Sequence, residues 1–87
     1  MSWQIAFKIT AKKDISKLNP IHQKRIGQKI DFFMHQPNPV SFAIKLTPGK
    51  MTEQYRWRIG DYRILFDVKG KKITVLAVAH RRGVYKK

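Results

Sequence analysis

The sequence predicts an α+β fold in which two N-terminal helices pack on one face of a small antiparallel-rich sheet. The first residues alternate in the manner of a strand, the next segment has helical spacing, and the C-terminal half contains apolar runs separated by glycine turns. The implied order of elements is βααβββ. A chain of 87 residues is short enough that one hydrophobic core must serve all of it, so we expect a single domain over residues 1–87.

The N-terminal segment predicts a strand followed by a short helix. Residues 3–9, WQIAFKI, place large apolar side chains at alternate positions, which is the period of a strand with one buried face. Thr10 can cap the next segment, AKKDISKL, because a hydroxyl oxygen can accept from a backbone N–H of the first turn. In that segment Ile15 and Leu18 are spaced to share one face of a helix.

A second helix is predicted to begin at Asn19-Pro20, where a capping side chain precedes a proline suited to a first helical turn. The motif QPNPV at 36–40 ends this helix, because two prolines so close together deny the backbone the donors and dihedral angles that a helix needs. Beyond it, alternating apolar residues over 40–46 indicate extended chain before a Pro-Gly turn. The apolar stripe of the helix is formed by Ile26, Ile30, Phe33 and Met34.

The C-terminal half predicts strands at 54–59, 62–68 and 72–79, with glycine turns between them. A two-residue loop at Gly60-Asp61 would pair arginines 58 and 63, since antiparallel partners count outward symmetrically from the turn. Side chains alternate across a strand, so the hairpin has two faces. A cationic face would carry Arg56, Arg58, Arg63 and Leu65, and the face under the helices would carry Tyr55, Trp57, Ile59, Ile64 and Phe66.

The last strand extends both faces of the predicted sheet. The second hairpin could turn in either of two registers, and unbroken alternation assigns each residue of the strand to the same face in both. The sequence therefore predicts that His80 lies on the cationic face. It also predicts that the following residues face the helices: Ile73, Val75, Ala77 and Ala79.

The charge of the chain indicates a polyanionic partner. Nineteen Lys and Arg against five Asp and Glu give a formal net charge of +14. No apolar run approaches the roughly 20 residues needed to span a bilayer, neither helix combines the apolar and basic faces of a membrane-surface helix, and no secretory signal is evident. The chain has no cysteine, which removes disulfides and cysteine-ligated zinc. We therefore expect a cytoplasmic protein without membrane contact.

A basic tail follows the last strand. Residues 78–87, VAHRRGVYKK, contain no acidic residue and supply an imidazole and a phenol that the arginine strands lack. A single arginine on such a surface most simply keeps the protein soluble. Several arginines on adjacent strands favour phosphate binding, because a guanidinium grips phosphate through two parallel hydrogen bonds.

Two stretches resemble the RelE/ParE superfamily of bacterial toxins from toxin–antitoxin pairs: YRWRIGDYRILF at 55–66 and VAHRRGVY at 78–85. The resemblance implies a RelE-like microbial ribonuclease fold. For the RelE branch it implies the toxin of a type II system, an endoribonuclease that cuts messenger RNA in the ribosomal A site. It further implies matches to family site residues at Arg63, His80, Arg81 and Tyr85, with Arg56 and Arg58 standing where that branch carries paired lysines.

Internal cleavage of RNA requires a deprotonated 2′-hydroxyl, stabilised charge on the phosphate and a protonated 5′ oxygen. Arg63 and Arg81 are candidates for clamping the scissile phosphate. With an ordinary pKa of about 6.5, His80 could transfer a proton, although it could equally be a hydrogen-bonded surface residue. Tyr85 could stack on a base, donate a proton or simply pack on the sheet. Neighbouring phosphates would be held by Arg56, Arg58, Arg82 and Lys86.

The five acids show no spacing that would hold hard cations, so we expect a metal-independent reaction without cofactors. Two rival functions remain: a ParE-like inhibitor that binds DNA gyrase without cutting, and a plain RNA-binding module. The combination of Arg63, His80, Arg81 and Tyr85 favours the nuclease. Expected partners are a cognate antitoxin with an acidic binding segment, and messenger RNA on the ribosome with nearby 16S ribosomal RNA.

Overall fold

The computed structural model describes residues 2–47 and 53–80. It confirms the α+β fold, with both helices on one face of the sheet, and it adds a short strand between the second helix and the arginine hairpin. No helix in this part of the chain has the length and apolar character to cross a bilayer. The elements are β1 Gln4–Phe7, α1 Ile9–Ser16, α2 Pro20–Met34, a 3-10 helix Pro39–Phe42, β2 Ile44–Thr47, β3 Glu53–Ile59, β4 Tyr62–Lys69 and β5 Lys72–His80.

The five strands form one mixed sheet in the order β1-β5-β4-β3-β2. Strand β1 pairs with β5 in parallel, and the other neighbouring pairs are antiparallel. A parallel pair requires a long crossover connection, whereas hairpin turns join β3, β4 and β5. The two helices belong to the segment that links β1 to the rest of the sheet, so the chain order itself brings them over one face.

The hydrophobic core lies between the helices and the sheet face below them. Trp57 is fully buried, and its ring packs against Phe33 of α2 and Phe66 of β4, with centroid distances of 5.0 and 4.2 Å. Burying a large apolar side chain of this kind contributes about 1.5–3 kcal/mol. The other buried apolar residues are Ala11, Ile26, Ile30, Ile59, Ile64, Ile73, Val75 and Val78.

The QPNPV segment ends α2, as predicted, and also receives hydrogen bonds from both tryptophans. The indole of Trp57 donates to the carbonyl of Pro39 at 3.1 Å, and that of Trp3 donates to Pro37 at 3.2 Å. The indole N–H of the buried Trp57 needs an acceptor, and the Pro39 carbonyl supplies it. The side chain of Asn38 accepts from the Val40 N–H at 3.1 Å and so caps the 3-10 helix.

The start of α1 differs from the prediction. The helix begins at Ile9 with Lys8 at the N-cap, so Thr10 lies inside the first turn and does not cap it. Its hydroxyl instead donates to the carbonyl of Leu76 in β5 at 2.7 Å. The start of α2 matches: Asn19 is the N-cap and a proline follows it, although the Asn19 side chain makes no capping hydrogen bond.

Strand β5 contains an irregularity that the sequence does not announce. Its register with β4 pairs Phe66 with Val75 but Leu65 with Ala77, which leaves Leu76 as an extra residue. A bulge of one residue reverses the facing of every side chain beyond it. Ile73 and Val75 therefore face the helices as predicted, but the same prediction for Ala77 and Ala79 is wrong. Val78 takes the buried place and is 8% exposed.

Candidate functional site

The β3–β4 hairpin forms around the turn predicted at Gly60-Asp61. Its register pairs Ile59 with Tyr62 and Arg58 with Arg63, which confirms the predicted pairing of the two arginines. Gly60 has a φ of 60°, a backbone conformation that favours glycine because it carries no Cβ. The turn therefore fixes which arginines face each other.

The cationic face is the sheet surface opposite the helices. Arg56, Arg58 and Arg63 lie on it, because they alternate with the buried residues of β3 and β4. Directly opposed residues of an antiparallel pair have Cα atoms about 4.5–5.5 Å apart, and residues two apart on a strand are separated by about 7 Å. Guanidinium groups on such long side chains can therefore meet at one phosphate. Arg58 is exposed, and the other two are partly buried.

An acidic residue also lies on the cationic face. Asp67 follows Arg63 by four positions in β4 and pairs with Gln54 and Thr74, so its side chain points to the same side. Alternation along RILFDVK could have revealed this, but the sequence reasoning considered only basic groups. Oδ1 of Asp67 and Nε of Arg56 are shielded from solvent without a hydrogen-bond partner in the described residues, an arrangement that costs about 1–3 kcal/mol per group.

His80 does not share this face. It pairs with Tyr62, whose parity in β4 is that of the buried Ile64, so both rings lie on the helix side. The bulge at Leu76 is the reason, since it reverses the facing of every later residue of β5. The His80 and Tyr62 rings meet edge to face at 5.2 Å, and Tyr62 also contacts His22 of α2 at 5.5 Å.

The remaining predicted site residues lie outside the described part of the chain: Arg81, Arg82, Tyr85 and Lys86. Ala79 pairs with Arg63, and His80 pairs with Tyr62, so the C-terminal end of β5 lies beside the opposed arginines. Within residues 2–47 and 53–80, no three His, Asp or Glu side chains group in a way that could hold a metal ion.

Sequence comparison identifies the family. The profile described as the ParE toxin of type II toxin–antitoxin systems, parDE, matches residues 5–85. This chain belongs to that family. The match covers the arginine hairpin and the basic tail as far as Tyr85. No curated protein matches the chain significantly.

Solved structures of RelE/ParE superfamily toxins have the same fold as this family member. The RelE–RelB complex from Pyrococcus horikoshii OT3 contains a chain with 27% identity and a TM-score of 0.75, and the match covers 97% of this chain and all of the other. The toxin chain of the RelB–RelE complex from Methanococcus jannaschii has 26% identity and a TM-score of 0.70, and the match covers 92% of this chain and 94% of the other. A chain of the chromosomal ParDE system from P. aeruginosa has 13% identity and a TM-score of 0.62, and the match covers 91% of this chain and 96% of the other.

Proposed function

We propose that this toxin is a metal-independent endoribonuclease that cuts messenger RNA in the ribosomal A site. The observation that supports it most is the cationic face, where three arginines on paired strands stand on the side of the sheet that the helices leave uncovered. Strands hold side chains more precisely than loops do, which a reaction that depends on charge placement requires. The likeness of both motifs to the RelE branch adds to this support.

In the proposed reaction the 2′ oxygen attacks phosphorus and the bond from phosphorus to the 5′ oxygen breaks. The products are a 2′,3′-cyclic phosphate and a 5′-hydroxyl. Negative charge grows on the non-bridging oxygens, and Arg63 and Arg81 stabilise it there, with Arg58 opposite Arg63. Adjacent phosphates are bound by Arg56, Arg82 and Lys86.

The proton transfers fall to other groups, because a guanidinium keeps its proton near neutral pH. We assign protonation of the 5′ oxygen to Tyr85, and the 2′-hydroxyl proton passes to solvent. His80 is left without a proton-transfer step, since its ring lies on the helix side against Tyr62. Asp67 lies about 13 Å along β4 from Arg63. At this separation it would face a neighbouring nucleotide and accept a hydrogen bond from its ribose.

The rival function is inhibition of DNA gyrase by binding. The observation that favours this alternative is the matching profile, which is that of ParE toxins. Either activity would be exerted in the cytoplasm, and the nuclease would additionally contact 16S ribosomal RNA around the A site. A cognate antitoxin would neutralise the chain in both cases.

Induced expression separates the two functions. We expect new messenger RNA 5′ ends within codons held by translating ribosomes, and no such ends with Arg63→Ala. DNA-damage signals without new RNA ends would instead establish gyrase inhibition. The Arg63→Ala result counts when the variant retains its circular dichroism spectrum and still binds ribosomes.

A further inference from the structure

Two exposed phenylalanines touch each other on the helix side of the sheet, close to the edge strand β2. Phe32 of α2 is 48% exposed, and Phe42 of the 3-10 helix is 45% exposed. Their ring centroids lie 6.0 Å apart, and the rings meet edge to face. Single apolar residues at a surface are ordinary, whereas adjoining ones mark a site of interaction. We therefore treat these two rings as one surface, the aromatic patch.

The hydrophobic core holds the aromatic patch in place. Phe42 stacks on Phe33 with a centroid distance of 5.1 Å, and Phe33 stacks on Trp57 at 5.0 Å. Both of these supporting rings are buried. One face of Phe42 therefore lies against the core, although the residue remains 45% exposed. A ring that is already fixed loses little conformational entropy when a planar ligand stacks on it.

Basic side chains accompany the aromatic patch. The ammonium of Lys29 lies 5.2 Å from the ring centroid of Phe32 and 5.8 Å from that of Phe33, which is within the range of a cation–π contact. Lys45 of β2 points to the same side of the sheet, because it pairs with Tyr55, which packs against the core. Flat rings beside cations suit a nucleotide, since a nucleotide offers a base for stacking and a phosphate for charge.

Acidic side chains are scarce around the aromatic patch. Asp31, the acid nearest to it in sequence, lies about 100° round α2 from Phe32. Its Oδ1 is 3.6 Å from Nδ1 of His35. Residues 32–52 contain no Asp or Glu. A second copy of this chain would bring another net charge of +14 to the same surface, which opposes self-association there. The charge therefore favours a polyanion.

Strand β2 separates the aromatic patch from the cationic face. Ile44 pairs with Arg56, which places it on the cationic face, and the next residue, Lys45, points to the helix side. No further strand of the described sheet lies beyond β2. A single strand of RNA held by the arginines can therefore cross this edge and reach Phe42 without leaving the protein surface.

We propose that the aromatic patch binds a flanking nucleotide of the single-stranded message that the cationic face holds. The base stacks on Phe42, Phe32 contacts the edge of the base, and Lys29 binds its phosphate. Every base has a flat aromatic face, so the contact adds affinity without selecting a sequence. The inference rests on the proposed function in one respect, the identity of RNA as the partner.

Phe42→Leu tests the inference, because leucine keeps an apolar side chain but removes the ring. Phe42→Tyr keeps the ring. Ile9→Ala is the control, since it removes apolar surface from α1 at a residue that is 65% exposed. Phe32→Leu, at an exposed position of α2, takes the place of Phe42→Leu if that variant does not fold.

The probe is a fluorescein-labelled single-stranded oligouridine with 2′-O-methyl groups, which the proposed reaction cannot cut. Its affinity for each purified protein is measured by fluorescence anisotropy. Inorganic polyphosphate, measured by competition, is the second probe, because it carries charge but no bases.

We expect Phe42→Leu to weaken binding of the oligouridine by about tenfold, and Phe42→Tyr and Ile9→Ala to weaken it by less than about twofold. Affinity for polyphosphate should be the same in all of these proteins. Native affinity of Phe42→Leu for the oligouridine, or an equal loss of affinity for polyphosphate, would overturn the inference.

Further measurements separate other occupants and the nuclease itself. Equal weakening of Phe42→Leu binding to ribosomes with and without a message would assign the aromatic patch to ribosomal RNA, and a loss confined to antitoxin binding would assign it to a protein. Either result would overturn the inference. Failure of the native chain to cut messenger RNA would refute the nuclease alone, since a tenfold difference in oligouridine affinity would still support the aromatic patch.

Discussion

At the scale of single residues, the opposed arginines of the hairpin are the feature that most needs an explanation. Like charges directly across a sheet destabilise it by roughly 0.2–1 kcal/mol, yet Arg58 and Arg63 occupy such a pair. Arg56 adds a shielded Nε with no partner in the described residues. An anion bound on this face would relieve the repulsion between Arg58 and Arg63. The proposed phosphate site would therefore offset part of the cost of this arginine pair.

Arg63→Ala is expected to reduce ribosome-dependent cutting by about 10²–10³-fold, the usual cost of removing one group that stabilises transition-state charge. Arg25→Ala is the control, because it removes the same charge from an exposed position of α2. Single-turnover cleavage of a ribosome-bound message measures both. Equal losses in the two variants would show that net charge matters and the cationic face does not.

His80→Ala is expected to retain cutting within about threefold of the native rate, since a group on the other side of the sheet cannot reach the phosphate. The loss should appear instead as altered packing of Tyr62, visible as a shift in its ring proton resonances. A hundredfold loss of cutting in a folded variant that still binds ribosomes would restore His80 to the reaction.

These two residues show how far alternation can be trusted. The positions of Arg58 and Arg63 follow from counting outward from a glycine turn, because both strands run on from it without interruption. His80 could not be placed in this way, because one extra residue at Leu76 reverses the facing of all that follows. Nothing in KITVLAVAH signals the bulge, since all of its central residues are apolar or small and fit either face.

At the scale of elements, α1 completes the edge of β5 where β1 ends. The last β1 partner of β5 is Val75, opposite Phe7, and the chain then turns into α1. Beyond that point, the Thr10 hydroxyl donates a hydrogen bond to the Leu76 carbonyl, and the Asp14 carboxylate accepts one from the Val78 N–H at 3.0 Å. Side chains of a helix thus satisfy the backbone of a strand that would otherwise have an open edge.

Asp14→Ala is expected to destabilise the fold by about 1.5–3 kcal/mol, because it removes a charged acceptor and leaves the Val78 N–H unpaired. Urea denaturation followed by tryptophan fluorescence gives the free energy of unfolding. Lys13→Ala, at an exposed position of the same helix, should change it by less than about 0.5 kcal/mol. A loss for Asp14→Ala no larger than that control would mean that the hydrogen bond contributes nothing.

The helices and hairpins were predictable from local patterns, but the sheet order was not. The apolar spacing of α2 and the glycine turns depend only on neighbouring residues. The parallel pairing of β1 with β5 joins Gln4 to Lys72 across most of the chain, and no local pattern encodes it. The segment predicted only as extended chain contains strand β2, which pairs with β3 through Ile44 and Arg56 and forms an edge of the sheet.

At the scale of the whole molecule, the two faces of the sheet differ in what they carry. One face packs on the helices and buries the core. The other face carries the arginines, and neither α1 nor α2 lies over it.

Salt should weaken RNA binding by this molecule steeply, since a net charge of +14 releases counterions from a nucleic acid. The slope of log affinity against log salt for a single-stranded RNA is expected to fall by about 0.7 when Arg58→Ala removes one phosphate contact. Arg25→Ala should leave the slope nearly unchanged. Equal slopes for native chain and Arg58→Ala would indicate that the RNA lies elsewhere.

The central claim, internal attack by a 2′-hydroxyl on a phosphate held by the cationic face, is tested most directly with a chemically altered message. Ribosomes are programmed with two messages that differ in one atom, the 2′ oxygen of the nucleotide at the cleavage position. We expect the all-ribose message to be cut to a 2′,3′-cyclic phosphate and a 5′-hydroxyl, and the 2′-deoxy message to remain intact. Cutting of both messages at equal rates would contradict the mechanism.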